Sequence, residues 1–149
     1  MQVKVINHIW IENLLYAIET AKDQGIVNLR FQECKIMKRA VQRLITFCQQ
    51  TTIIQSFGLL RIQFDDGADF KRLVEAVSFN QHIKQFSVQG AVFDEDYHGK
   101  TMAKCILESR SLKELDISEV AFEDPKAFYE MANGLLNERC RLGALKLRK

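Results

Sequence analysis

The sequence predicts an α/β fold in which short parallel strands are stacked side by side and each is returned by a helix. Three observations carry that expectation. The first is a template in "SLKELDISEVAF", Ser111 to Phe122, where apolar residues fall at Leu112, Leu115, Ile117 and Phe122, positions one, four, six and eleven. That spacing fits neither the rhythm of a helix nor the strict alternation of a simple strand. The second is recurrence. The template also fits Ile26, Leu29, Phe31 and Ile36, then Ile54, Phe57, Leu59 and Phe64, then Ile83, Phe86, Val88 and Phe93. An incomplete copy supplies Leu142, Leu145 and Leu147, and the five first positions are separated by 28, 29, 29 and 30 residues. A constant period of this length marks stacked repeats.

The third observation is the helical reading of the segments between copies. Val41, Leu44, Ile45 and Cys48 follow the first copy at i, i+3, i+4 and i+7, one face of a helix. Phe70, Leu73, Val74 and Val77 follow the second, Met102, Cys105 and Ile106 the third, and Phe128, Ala132 and Leu135 the fourth. Helices are expected near 9–22, 38–50, 68–80, 98–109 and 126–137. Asp65, Asp66, Asp94 and Asp124 stand where helices would begin and suit their N-termini. Pro125 falls where a first helical turn tolerates it.

Each unit therefore reads as strand, turn and helix, the helix supplying the crossover that parallel strands need. No such unit buries its apolar surface alone, so neighbours stack into a solenoid. Ile6, Ile11, Leu14, Leu15 and Ile18 repeat the offsets of Ile36, Val41, Leu44, Ile45 and Cys48, which makes the first segment the back half of a repeat. The expected organisation is one domain over 1–149: a partial repeat with its helix at 1–24, four repeats at 25–141 and a terminal strand at 142–149.

Bulk composition agrees with a soluble globular chain. Of 149 residues, 47% are hydrophobic and 27% charged, with a net charge of +2. No apolar run approaches the roughly 20 residues that cross a bilayer. "MQVKVINHIW" reaches Glu12 too soon for a signal-peptide core. Cys34, Cys48, Cys105 and Cys140 are far apart with no Cys-x-x-Cys pair, so reduced thiols and a cytoplasmic location are expected.

On these residues the chain resembles leucine-rich-repeat proteins, and its period with a full helix is similar to the ribonuclease-inhibitor-like subclass, over about Gly25 to Lys149. "SLKELDIS" is the nearest single copy. A weaker similarity, to the repeat domain of tropomodulins, lies in "KQFSVQGAVF" followed by a helix and "SLKELDIS". The resemblance implies a curved parallel sheet on the concave side, helices on the convex side and a role in protein binding without a cofactor. The family places asparagine or cysteine at position nine. Here that column reads Cys34, Ile62, Ala91 and Val120, so only Cys34 conforms.

In such an arrangement positions two, three, five, seven and eight face the open side of the sheet. The partner-binding candidates are Arg30, Arg61, Lys84, Gln85, Glu114 and Asp116 on that face, with Lys146 and Arg148 at the C-terminal edge. The face is polar, mixed in sign and free of aromatics, whereas nucleic-acid readers want clustered cations and stacking rings. A merely solvated face stays open beside a protein partner read by charge complementarity. His8, His82 and His98 are spread over different repeats and read as surface or turn residues, not metal ligands. "DEDYH", Asp94 to His98, lacks calcium-loop spacing and reads as a helix N-terminal charge run. Cys105 points inward by its helical register. No nucleophile elbow or phosphate loop occurs, so no catalytic residue, metal or cofactor is expected. Trp10 and Tyr16 read as packing residues of the first helix, or as interface anchors where that end is open. The functional expectation is a protein–protein scaffold or a subunit of a larger assembly such as a ciliary complex. The alternatives are a regulator such as a small-GTPase activator and a tropomodulin-like cytoskeletal binder. Neither nucleic acid nor membrane is an expected partner.

Overall fold

The computed structural model describes residues 3–21 and 28–149. Gly25 and Ile26, where the first full repeat is expected to begin, lie outside them, as does the expected last residue of the first helix. The elements run β1 (Lys4–Ile6), α1 (His8–Thr20), β2 (Asn28–Gln32), β3 (Cys34–Ile36), α2 (Lys38–Gln50), β4 (Ser56–Leu60), β5 (Gln63–Phe64) and α3 (Gly67–Phe79). They continue with β6 (Gln85–Gln89), β7 (Val92–Phe93), α4 (Asp96–Glu108), β8 (Glu114–Asp116), β9 (Ala121–Phe122), α5 (Pro125–Leu136) and β10 (Ala144–Lys146). The chain is α/β, and its five helices start and stop within about two residues of the expected bounds.

The main sheet has the order β10-β8-β6-β4-β2, all parallel, so consecutive repeats are neighbours. Its register aligns the template. Leu29, Phe57, Phe86, Leu115 and Leu145, the position-four residues, form one row. Leu115 is fully buried and Phe57 and Phe86 stack at 6.2 Å, while Leu145, on the edge strand, is half-buried.

The strand–turn–helix unit is incomplete as a description. Positions nine to eleven form a second, short strand, and these strands make ladders of their own: β1-β3-β5 and, separately, β7-β9. The first segment therefore supplies β1 as well as α1, and β1 pairs with β3 from Lys4↔Cys34 to Ile6↔Ile36. The turn between the two strands of each unit is made at position eight. Glu33, Arg61, Gly90 and Glu119 all occupy that position, and all four have positive φ, between 49° and 65°. Three of the four are not glycine, although the left-handed region penalises a Cβ.

α2 to α5 begin 29 residues apart, so equivalent helical positions form rows across the molecule. One row, Trp10, Ala40, Asp69, His98 and Ala127, faces the preceding unit. Another, Ile11, Val41, Phe70, Gly99 and Phe128, faces the following one. Phe70 and His98, from facing rows of α3 and α4, have ring centroids 5.8 Å apart. Ala40, Asp69 and Ala127 are buried, but Trp10 is 50% exposed. At the other end Phe128 is 44% exposed where Val41 and Phe70 are buried. Two expectations are corrected by this geometry. Of the two readings of Trp10 and Tyr16 the packed one fails, since both are exposed, and α5 buries Ala127, Met131 and Gly134 rather than Phe128, Ala132 and Leu135. Phe128 lies exposed on the flank of α5, while Leu135 is half-buried against the core.

In three copies the securing polar residue lies not at position nine but three residues before the first position of the template. Thr51, Asn80 and Ser109 are buried there. Asn80 uses its whole amide: Nδ2 donates to the Cys48 and Thr51 carbonyls, and Oδ1 accepts from the His82 and Ile83 amides. Ser109 Oγ accepts from Leu112 N in the next copy. The turns that follow α2, α3 and α4 are thus closed from inside, as buried backbone groups require.

The helix starts are capped less uniformly than expected. Asp66 accepts from Ala68 N and Asp124 from Lys126 N, both at 2.9 Å. Asp65 instead reaches the neighbouring unit, accepting from Lys38 N at 3.3 Å at the start of α2, where Met37 offers no side-chain cap. Asp94 caps nothing: α4 starts at Asp96, and Asp94 lies 3.6 Å from His98 Nδ1.

Candidate functional site: the open face of the main sheet

The strands fix where each polar side chain stands. Register aligns Asn28, Ser56, Gln85, Glu114 and Ala144 as the position-three row, and Arg30, Gly58, Ser87, Asp116 and Lys146 as the position-five row. The second row dips in the middle, because Gly58 and Ser87 are small. A Cβ on Gly58 would meet Ser87 Oγ at 2.7 Å and Arg30 Cγ at 3.3 Å, so the Arg30 side chain lies across that dip. From there Arg30 Nη2 donates to Gln89 Oε1 at 2.9 Å, and Gln89 Nε2 donates to Asp116 Oδ2 at 2.6 Å. Asp116 Oδ1 accepts from Ser118 N at 2.9 Å. Burial pushes the Asp116 carboxyl up, but hydrogen bonds from Ser118 and Gln89 outweigh it and hold the group below its ordinary value.

Two further basic side chains make three contacts that tie down the ends of the face. Lys146 Nζ donates to Glu114 Oε1 at 2.5 Å. Arg61 donates through Nη1 to Glu33 at 3.0 Å and through Nη2 to Glu119 at 2.6 Å, passing over Gly90. A Cβ on Gly90 would lie 2.5 Å from Arg61 Cγ, so glycine there serves both the turn and the crossing side chain.

Five of the eight sequence-predicted partner residues, Arg30, Arg61, Glu114, Asp116 and Lys146, are therefore bonded within the chain. Lys84, Gln85 and Arg148 are exposed, and their side chains have no hydrogen-bond or ion-pair partner among the described residues. Gln89, which joins Arg30 to Asp116, is absent from the sequence-based set. Its only sequence signal is its place at position seven, shared with Gln32 and Leu60.

Among the described residues, the histidines and cysteines do not converge into a site. His98 is not a surface residue: its ring stacks on Phe93 at 5.2 Å and on Tyr97 at 4.1 Å, at the start of α4. Burial pushes the Cys105 thiol up to about 12 and raises Cys48 further, which removes the thiolate a nucleophile needs. Cys34, Cys48, Cys105 and Cys140 are all unbridged. Among the described residues, no group of three or more His, Cys, Asp or Glu could hold a metal ion, and no helix is long and apolar enough to cross a membrane.

No family model matches the chain, and no curated protein matches it significantly.

Proposed function

We propose that the chain is a leucine-rich-repeat array of the ribonuclease-inhibitor-like kind, with the main sheet on its concave side. In this reading it acts without catalysis as a cytoplasmic protein–protein scaffold or as a subunit of a larger assembly. The observation that carries the reading is the sheet face: five strands in register present polar side chains in rows, and internal hydrogen bonds hold Arg30, Gln89 and Asp116 in place. A surface already ordered before contact loses little entropy on binding. Within it, Lys84, Gln85 and Arg148 keep their full hydrogen-bonding capacity for a partner, and such charges set specificity and encounter rate. The exposed core-row residues Trp10 and Phe128 support contact at the ends as well.

The test is affinity capture from a cytosolic extract with wild type, the double variant Lys84→Glu/Gln85→Ala and a chain lacking residues 144–149, with bound chains identified by mass spectrometry. The reading expects a discrete set of proteins whose recovery falls at least ~10-fold with the face variant, while circular dichroism shows the variant folded. Equal recovery by all three proteins would reject the face and the C-terminal edge together.

A further inference from the structure

The two ends of α3, α4 and α5 differ in their charged residues. Where α3, α4 and α5 begin, carboxylates gather: Asp65, Asp66, Asp94, Glu95, Asp96 and Asp124. At the opposite rim, the ends of α3 and α4 and the segment leaving α5 enclose a half-open cleft of about 990 Å³. Its walls carry Phe79, Lys104, Leu107, Arg110, Arg139 and Arg141. Lys104 is engaged by Glu75 at 3.7 Å. The three arginines are exposed, and among the described residues none forms an ion pair. Phe79 is 62% exposed at the cleft wall, and Leu107 is half-buried beside it.

We propose that this cleft docks an acidic protein segment carrying an apolar side chain among its carboxylates. Three unpaired guanidiniums give the rim its sign, and a guanidinium matches a carboxylate through two parallel hydrogen bonds. They are spread over the α4–β8 and α5–β10 connections rather than converging on a point, which suits an extended chain better than a single small anion. Helix C-termini repel a bare anion, so the arginines, reaching beyond the last turns, are where its charges settle. Phe79 and Leu107 supply the apolar wall that an anchor side chain needs. Nucleic acid fits less well. Glu108 and Glu138 stand in the same walls and would face phosphates, and Phe79 is the only ring there for stacking. A peptide can interrupt its acidic run opposite those two carboxylates.

The probe is a fluorescein-labelled twelve-residue peptide of Asp and Glu broken by serine at every third position, with one central Phe, followed by anisotropy on the full chain. Wild type should bind it, with an affinity that falls steeply as salt rises. The triple variant Arg110→Gln/Arg139→Gln/Arg141→Gln should bind at least ~10-fold more weakly, and Phe79→Ser about threefold more weakly. A Lys-for-acid version of the peptide should not bind. Thermal melts establish that each variant is folded, and Arg141→Ala alone, expected to weaken binding about threefold, serves if the triple variant is not. Lys84→Glu, on the sheet face, should leave this binding unchanged, so failure here is distinguishable from failure of the sheet-face reading. Undiminished binding by the arginine variants overturns the proposal, and so does a twelve-nucleotide single-stranded RNA that binds as tightly as the peptide.

Discussion

The α4–α5 joint and the α2–α3 joint use the same rows of the repeat and are built in opposite ways. Between α4 and α5 the backbones touch. A Cβ on Gly99 would come within 1.9 Å of the Ala127 carbonyl oxygen, and one on Gly134 within 2.8 Å of Ala103 Cα. At the equivalent places of the α2–α3 joint stand Val41 against Asp69 and Ile45 against Ala76, and the α3–α4 joint places Phe70 against His98. Facing side chains set how closely two helices approach. The repeat therefore prescribes which rows face each other, while each joint chooses its own contents: small residues and backbone contact in one, bulky side chains and a buried carboxylate in another.

Exchanging those contents separates the two designs. The largest effect is expected at Phe70, which is buried and packs against Phe64, Phe93 and His98. Phe70→Ala should cost about 3–5 kcal/mol in urea denaturation, because the joint is held apart by neighbours and cannot collapse onto the hole. Gly99→Ala should cost about 1–3 kcal/mol by the opposite cause, one methyl group too many against a carbonyl that cannot yield. A neutral Gly99→Ala would mean that the two helices are free to separate and that the joints do not differ in kind.

The smallest effect is expected at Asp69, and its sign is reversed. Both Asp69 carboxylate oxygens are buried without a hydrogen-bond partner, and Arg72 approaches only to 4.0 Å. Burial pushes this carboxyl up from its ordinary value of 3.8, with Asp66 adding to the rise. A raised carboxyl contributes stability that is present below the unfolded value and is lost as pH rises through the folded one. Asp69→Asn should accordingly stabilise the protein by about 1 kcal/mol at pH 7, and the gain should shrink as the pH is lowered towards the ordinary value. Denaturation of both proteins at the two pH values measures it. A gain that grew on acidification would contradict the buried, unpartnered placement.

The period and the helix faces were legible because they rest on large apolar residues at fixed offsets: Leu115, Phe86 and Phe57 announce the strands, Leu73 and Met102 the helices. The second ladder was not, because strands of two or three residues such as Val92–Phe93 are too short to display alternation. Nor was the left-handed turn, since glycine marks it only at Gly90, while Glu33, Arg61 and Glu119 take the same conformation without the usual signal. The polar face was legible as a list of positions. Its internal bonding was not, since nothing local to Arg30 foretells that it will meet a glutamine 59 residues away. The same holds for Asp65, which read as the cap of its own helix and serves its neighbour's.

Stacking joins each unit to the next, and two arginines reach further: Arg30, in the first unit, meets Gln89 in the third across Gly58. Arg61, in the second unit, holds Glu33 in the first and Glu119 in the fourth, bypassing the third at Gly90. Sliding or bending at any of three successive joints must stretch this tie, so flexing there is shared rather than confined to the weakest joint. The contacts are solvent-exposed, and exposed ion pairs weaken as the salt concentration rises. The stiffness of these three joints is thereby coupled to the salt around them.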